Sequence, residues 1–317
     1  MIDAERLLRL RGLPKQKISQ KARLLHHIYT WVRIVGESTY VLHDYNPSDS
    51  FIEAFHHHFR IDDVVSQRNP RLDDFLRLQP RQSDSDLDID EPKDNEVGLY
   101  DIHLQDSRRY SETLYNQIYG IPETWLSLVS QTTRMANVLD SLRIARRTQN
   151  LSPAAWETVQ RRRVRLENMI CSFDLRALGK DNTPHGHMLR ALNSALVIFF
   201  YRRIRQVHPA VLQGYVDSVI TALDDFDTAL AQCQHPGPGT AWPAFMAGCE
   251  AMTAARREAI MAWVRKGSAQ SGFTAFTRAR EIMVEVWKRR DEHAARGDMI
   301  PTWVDVVKEW QLWPIFC

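Results

Sequence analysis

ALNSALVIFFY, residues Ala191–Tyr201, is apolar at nearly every position, with only Asn193 and Ser194 interrupting. A helix that is apolar all round must be buried all round, so this stretch predicts a central helix of a packed core. It is far short of the roughly 20 apolar residues needed to cross a bilayer. Arg190, Arg202, Arg203 and Arg205 bracket it, and long basic side chains at helix ends are expected to carry their heads to water.

Working outward, the same periodicity recurs. Ile121, Trp125, Leu128, Val129, Thr132, Ala136 and Leu139 share one face of a predicted helix over Ile121 to Ser141. Its opposite face carries Ser127, Ser130, Arg134, Asn137 and Ser141, short polar groups around one arginine. Ser19 can cap a helix bearing Leu24, Leu25, Ile28, Trp31, Val32 and Val35, and Ser50 with Glu53 forms a capping box before Phe51 to Arg60. Pro122, Pro153, Pro184, Pro209, Pro243 and Pro301 each read as a helix start, and Gly120 closes the helix before Pro122. Strand signals are nearly absent. The expectation is an all-α fold, a single multi-helix globular array of about ten to twelve helices spanning 1–317. Two segments break the pattern. Ser83 to Glu96 (SDSDLDIDEPKDNE) holds seven acids against one lysine, which predicts an acidic loop or disordered insert at about 81–97. His235 to Pro243 (HPGPGTAWP) reads as an irregular connection.

Composition narrows the function classes. The 317 residues are 44% hydrophobic and 25% charged with a formal charge of +2, which argues against wholesale disorder and against a generally basic nucleic-acid surface. Met1 to Leu10 carries acids and arginines among its leucines, unlike a secretory signal. Cys171, Cys233, Cys249 and Cys317 lie far apart, without the CxxC or Cys-His couples a tetrahedral zinc site needs. They read as reduced, mostly buried thiols in a reducing intracellular compartment. His56, His57 and His58 are consecutive and fan around a helix, so they cannot all meet one ion, and His26 and His27 share that limit. The sequence has no GxSxG elbow, no GxGxxG after a strand and no GxxxxGK[ST] loop. Asp224-Asp225 and Asp73-Asp74 read as solvated helix faces, as does the Arg161, Arg162, Arg163 and Arg165 group. No metal, cofactor or catalytic residue is expected.

Six residues are candidates for a small-molecule site. Trp242 and Phe245 stand at a loop-to-helix joint beside Gly248 and could wall a pocket, while Ser130, Arg134 and Asn137 supply a polar stripe, with His208 as a further polar group. For Trp263 and Trp287, on apolar stripes, core packing is the expectation.

The run YGIPETWLSLVSQTTRMANVLD (Tyr119 to Asp140) resembles the signature helix of the fungal-specific transcription factor domain, in the subgroup of arginine-metabolism-type regulators. HPAVLQGYVDSVITAL (His208 to Leu223), WPAFMAGCEAMTAARREAIMAWV (Trp242 to Val264), AREIMVEVWKRRDE (Ala279 to Glu292) and the opening from Arg6 to Tyr45 resemble that family in order. The resemblance implies an all-α regulatory domain that follows a DNA-binding zinc binuclear cluster. It implies action through protein partners or self-association, with a small-molecule effector, in the nucleus or between nucleus and cytoplasm. The family's DNA reader needs six clustered cysteines and this chain has four scattered ones, so no direct nucleic-acid binding is expected; no membrane association is expected either, since no apolar run approaches the roughly 20 residues of a bilayer span. Family-like sequence under way by Arg6 points to the regulatory part of a longer protein, or to a gene that lost its reader. The alternative is a stand-alone binder or cyclase- or isomerase-like enzyme repurposed from this domain, with Arg134, His208, His235 and Trp242 as first candidates.

Overall fold

The computed structural model describes residues 20–41, 114–146, 153–177, 182–232, 239–294 and 300–317. The expected acidic insert, the helix over 51–60 with its histidines, and Cys233 and His235 lie outside the described residues. Among the described residues the chain is all-α, with no strand. Its contacts fall into two compact units, residues 1–34 with 45–169 and residues 35–44 with 170–317. The boundary runs inside two helices.

The first unit contains most of α1 (Gln20–Ser38), then α2 (Leu114–Tyr119), α3 (Glu123–Arg146) and most of α4 (Pro153–Ala177). Gly120 closes α2 at φ 64°, a left-handed conformation that glycine adopts without a Cβ penalty. Pro122 follows, and its carbonyl accepts the Trp125 N–H as α3 starts. Aromatic rings join α1 to the next two helices. Trp31 stacks on Tyr119 with centroids 4.9 Å apart and tilts against Trp125 at 5.9 Å, while His27 meets Tyr115 at 4.5 Å. The buried stripe of α1 runs through His27, Trp31 and Ile34, whereas Leu24, Leu25 and Ile28 are exposed. Periodicity alone could not choose between these overlapping stripes; the aromatic partners on α2 and α3 did.

The second unit is built on α5 (Pro184–Phe200) and α6 (Gln213–Ala231), which make its most extensive helix pairing. Thr183 caps α5 by accepting the Gly186 N–H, a contribution of about 1 kcal/mol. Every residue from Ala191 to Phe200 is buried, as the all-round apolar pattern requires. A π turn (Tyr201–Arg205) and a 3-10 turn (Pro209–Leu212) connect α5 to α6. The short α7 (Trp242–Glu250) is buried at all nine positions and packs on α5, α6, α8 (Ala254–Ser271) and α9 (Thr274–Ala294). Helix α10 (Trp303–Glu309) opens on a capping box made by Thr302 and Asp305 and leans on α9. The C-terminal residues then close the core. Phe316 is fully buried, its carbonyl accepts the Thr240 hydroxyl at 2.6 Å, and the Pro314 carbonyl accepts Thr39 at 2.5 Å.

Candidate functional site

In the first unit the residues of interest lie on α3. This helix has no strongly apolar side because both of its faces are covered. Ser127 and Ser130 are as buried as Trp125 and Val129, whereas Arg134 and Asn137 are half-buried. Hydroxyls tolerate such burial by bonding back to their own helix. Thr132 donates to the Leu128 carbonyl at 2.8 Å, Thr133 to that of Val129 at 2.9 Å, and the Gln131 amide donates to Ser127 Oγ at 3.0 Å. Two polar atoms stay unsatisfied, Ser130 Oγ and Gln131 Oε1. Buried polar groups without partners cost about 1–3 kcal/mol each, so they mark a place where the interior is not optimised for packing alone. On α4, Arg162 is held below its ordinary range by burial first and by the like charges of Arg134 and Arg165 second. The stripe Ser130, Arg134, Asn137 therefore runs from a sealed, polar interior to a half-exposed arginine region.

In the second unit Trp242 and Phe245 are both fully buried on the first turn of α7. Trp242 donates its indole N–H to Ser38 at 2.8 Å and packs edge-on against Phe199 at 5.9 Å. Phe245 lies against Phe316 at 4.1 Å and Trp303 at 5.7 Å. His208 is exposed and caps the 3-10 turn, its Nδ1 accepting the Ala210 N–H at 3.1 Å. Trp263 is buried against Phe276 as expected, and Trp287 is half-buried with its indole on the Gly248 carbonyl at 2.8 Å. Ser130, Arg134 and Asn137 belong to the first unit; Trp242, Phe245 and His208 belong to the second.

The most concentrated electrostatics were not singled out from the sequence. Glu250, at the C-terminal end of α7, is buried with a side chain only 2% exposed. Arg202 of the π turn pairs with its Oε2 at 2.9 Å, and Arg290 of α9 pairs with the same oxygen at 3.2 Å. Arg202 and Arg290 are each 8% exposed, so Arg202 corrects the expectation that the arginines after Phe200 carry their heads to water. The physical reason is the carboxylate: a buried anion needs cationic partners more than an arginine stem needs solvent. Arg202 also donates to the Val207 carbonyl at 2.7 Å and Arg290 to that of Cys249 at 2.8 Å. Burial pushes the Glu250 carboxyl up, with both guanidiniums pulling the other way. Around it, the carbonyls of four successive residues where α7 ends each have a side-chain donor: Trp287 at Gly248, Arg290 at Cys249, Gln213 at Glu250 (2.9 Å) and Arg257 at Ala251 (3.3 Å). Collecting donors, two of them cationic, at a helix C-terminus also answers its dipole. The signal in the sequence was Glu250 itself, a lone acid ending the apolar run WPAFMAGC.

Among the described residues no group of three His, Cys, Asp or Glu could hold a metal ion, and no helix is long and apolar enough to cross a membrane. Asp224 and Asp225 are exposed on α6, as the sequence reading has them.

Comparison with known proteins follows the same direction. The family described as "Fungal specific transcription factor domain" matches residues 1–315. The "Arginine metabolism regulation protein II" of Saccharomyces cerevisiae is 30% identical over 126 residues, covering 40% of this chain and 14% of that protein. The chain thus matches a small part of that longer relative. No solved structure matches the chain.

Proposed function

Because the chain belongs to the fungal specific transcription factor domain family, we propose that it is a regulatory domain which acts through protein contacts rather than by reading DNA. The family match over nearly the whole chain carries this reading. Four scattered cysteines support the second half of it, since the six-cysteine cluster of the family's DNA readers cannot be assembled from them. The partners are a second copy or other components of the transcription apparatus, and the setting is the nucleus. An effector enters on the α3 face, where the buried Ser130 hydroxyl lacks a partner and Arg134 stands half-buried four residues on. Hydroxyl, amide and guanidinium groups in a row fit a small polar molecule carrying an acidic group.

The test is a tethering assay. The 317-residue chain is fused to an unrelated DNA-binding domain and a reporter with that domain's sites is measured in a fungal host. The expected outcome is a change of several-fold in reporter output, altered by Arg134→Ala in a protein that keeps its wild-type Tm. Reporter output equal to that of the DNA-binding domain alone would sink the proposal. For the second part, sequence-specific DNA binding by the unfused chain in a mobility-shift assay would overturn the assignment.

A further inference from the structure

Two cations share one buried anion where α5 ends. Arg202 and Arg290 both reach Glu250 Oε2, and no other acid pairs with them among the described residues. Three of their nitrogens, Arg202 Nη2 and Arg290 Nε and Nη1, are buried without a hydrogen-bond partner. A charge surplus with unmet donors inside a protein is costly, and removing one of the two cations would leave a neutral pair. The two are not held alike. Arg290 projects from the regular helix α9 and is pinned to the Cys249 carbonyl. Arg202 projects from a π turn that ends in Gln206 at φ 54°, a left-handed conformation outside the usual range of a side chain of this kind. π turns are rare in proteins and gather at functional sites, as does stored backbone strain.

We propose that the π turn Tyr201–Arg205 is a conformational latch with Arg202 as its releasable member. In the latched state Arg202 lies on Glu250 and on the Val207 carbonyl. In the released state the turn relaxes, Arg202 moves to solvent, and Glu250 stays behind as a neutral pair with Arg290. Giving up the extra residue of a π turn rotates the side chains along it by roughly 100° each, enough to carry a guanidinium from the interior to the surface. Relaxation removes the surplus charge, the unmet Nη2 donor and the left-handed residue together. The cost is the Arg202 contacts to Glu250 and Val207. Those opposed terms make the segment bistable, and they place the movement at the joint between α5 and α6, the most extensive helix pairing of the second unit. The latch is independent of the effector face on α3.

Hydrogen exchange and two variants test it on the whole 317-residue chain. Amides of residues 201–207 are expected to exchange at least about 100-fold faster than those of Ala191–Phe200, because they open without global unfolding. Arg202→Met, which keeps the stem and removes the surplus charge, is expected to raise Tm by about 2–4 °C. Arg290→Met, which removes the pinned cation, is expected to lower it. A static ion cluster makes the opposite forecast for Arg202→Met: loss of stability, or failure to fold. Either of those results overturns the latch. So does exchange of residues 201–207 in step with the α5 core.

Discussion

At the scale of single residues, burial sets the thiol chemistry. Cys249 is fully buried, and burial pushes its thiol well above the ordinary cysteine range, with the Glu250 charge adding to the rise. Burial pushes Cys317 up to about 12. The thiolate is the reactive form, so both should resist alkylation. Iodoacetamide at pH 8 followed by mass spectrometry is expected to leave Cys249 unlabelled in the native chain and fully labelled in guanidinium. Labelling of native Cys249 within minutes would contradict its placement. Asp291 shows the opposite shift: the bidentate Arg257 guanidinium, at 2.7 and 2.8 Å, holds its carboxyl below the ordinary value of 3.8. Its folded pKa is therefore below its unfolded one. The stabilisation is present above pH 3.8 and is lost as pH falls through the folded value. Asp291 is 61% exposed, so solvent screening keeps the contribution within roughly 0.2–1 kcal/mol. Urea midpoints of wild type and Asp291→Asn are expected to differ at pH 6 and to draw together as the pH is taken down below 3.8. A constant gap across that range would remove the pair as the cause.

At the scale of elements, close approach governs what the helices tolerate. Gly267 on α8 lies under the Phe276 ring of α9, and a Cβ there would meet Phe276 carbons at 2.5, 2.8 and 2.9 Å. A ring cannot fold aside as a methionine tip can, so Gly267→Ala should strain the α8–α9 packing by about 1–3 kcal/mol despite alanine's better helix propensity. Chemical denaturation checks this, and a stabilised variant would mean that the two helices are free to separate. The helix starts themselves were readable in advance. Pro153 and Pro184 each open an α-helix, Pro209 opens the 3-10 turn and Pro243 stands in the first turn of α7, because a residue without an N–H costs nothing where the helix has no acceptor for one. Ala191–Phe200 was equally readable, since apolar residues on every side leave no face for water. Two things were not. Sequence spacing put Leu24, Leu25 and Ile28 on one stripe with Trp31 and left His27 off it, and only the rings of α2 and α3 show that His27 is buried and the three aliphatic residues are not. The Ser127–Ser130 side of α3 reads as polar, and nothing local reveals that it is sealed from solvent.

At the scale of the whole molecule, the second unit is tied together by residues far apart in the chain. Trp313 donates to the Gly36 carbonyl at 3.0 Å, Thr39 to Pro314, and Trp242 to Ser38. Phe316 lies fully buried against Phe245 at the centre of this closure. Phe316→Ala is expected to cost about 3–5 kcal/mol, read from urea unfolding of the complete chain. A loss below 1 kcal/mol would show that the C-terminal residues decorate the core rather than complete it. The candidate site was only half legible at this scale. Ser130, Arg134 and Asn137 could be singled out as candidates because they share a helix and its 3.6-residue period. The Arg202–Glu250–Arg290 cluster was not, because its members come from a π turn, a helix end and a third helix, 48 and 40 residues apart in the chain. Pairings of that kind carry no periodic signature.

The same cluster has a consequence for the order of synthesis. The chain leaves the ribosome from its N-terminus, and Glu250 emerges some 40 residues ahead of the Arg290 that shares it. Until α9 arrives, Glu250 has Arg202 as its one cationic partner among the described residues, and the Gly248 and Cys249 carbonyls lack the donors that α9 supplies. A nascent chain halted before α9 is therefore expected to hold Glu250 in contact with water and α7 unpacked. The second unit becomes competent to fold only once α9 has emerged, when its most buried charge can at last leave the solvent.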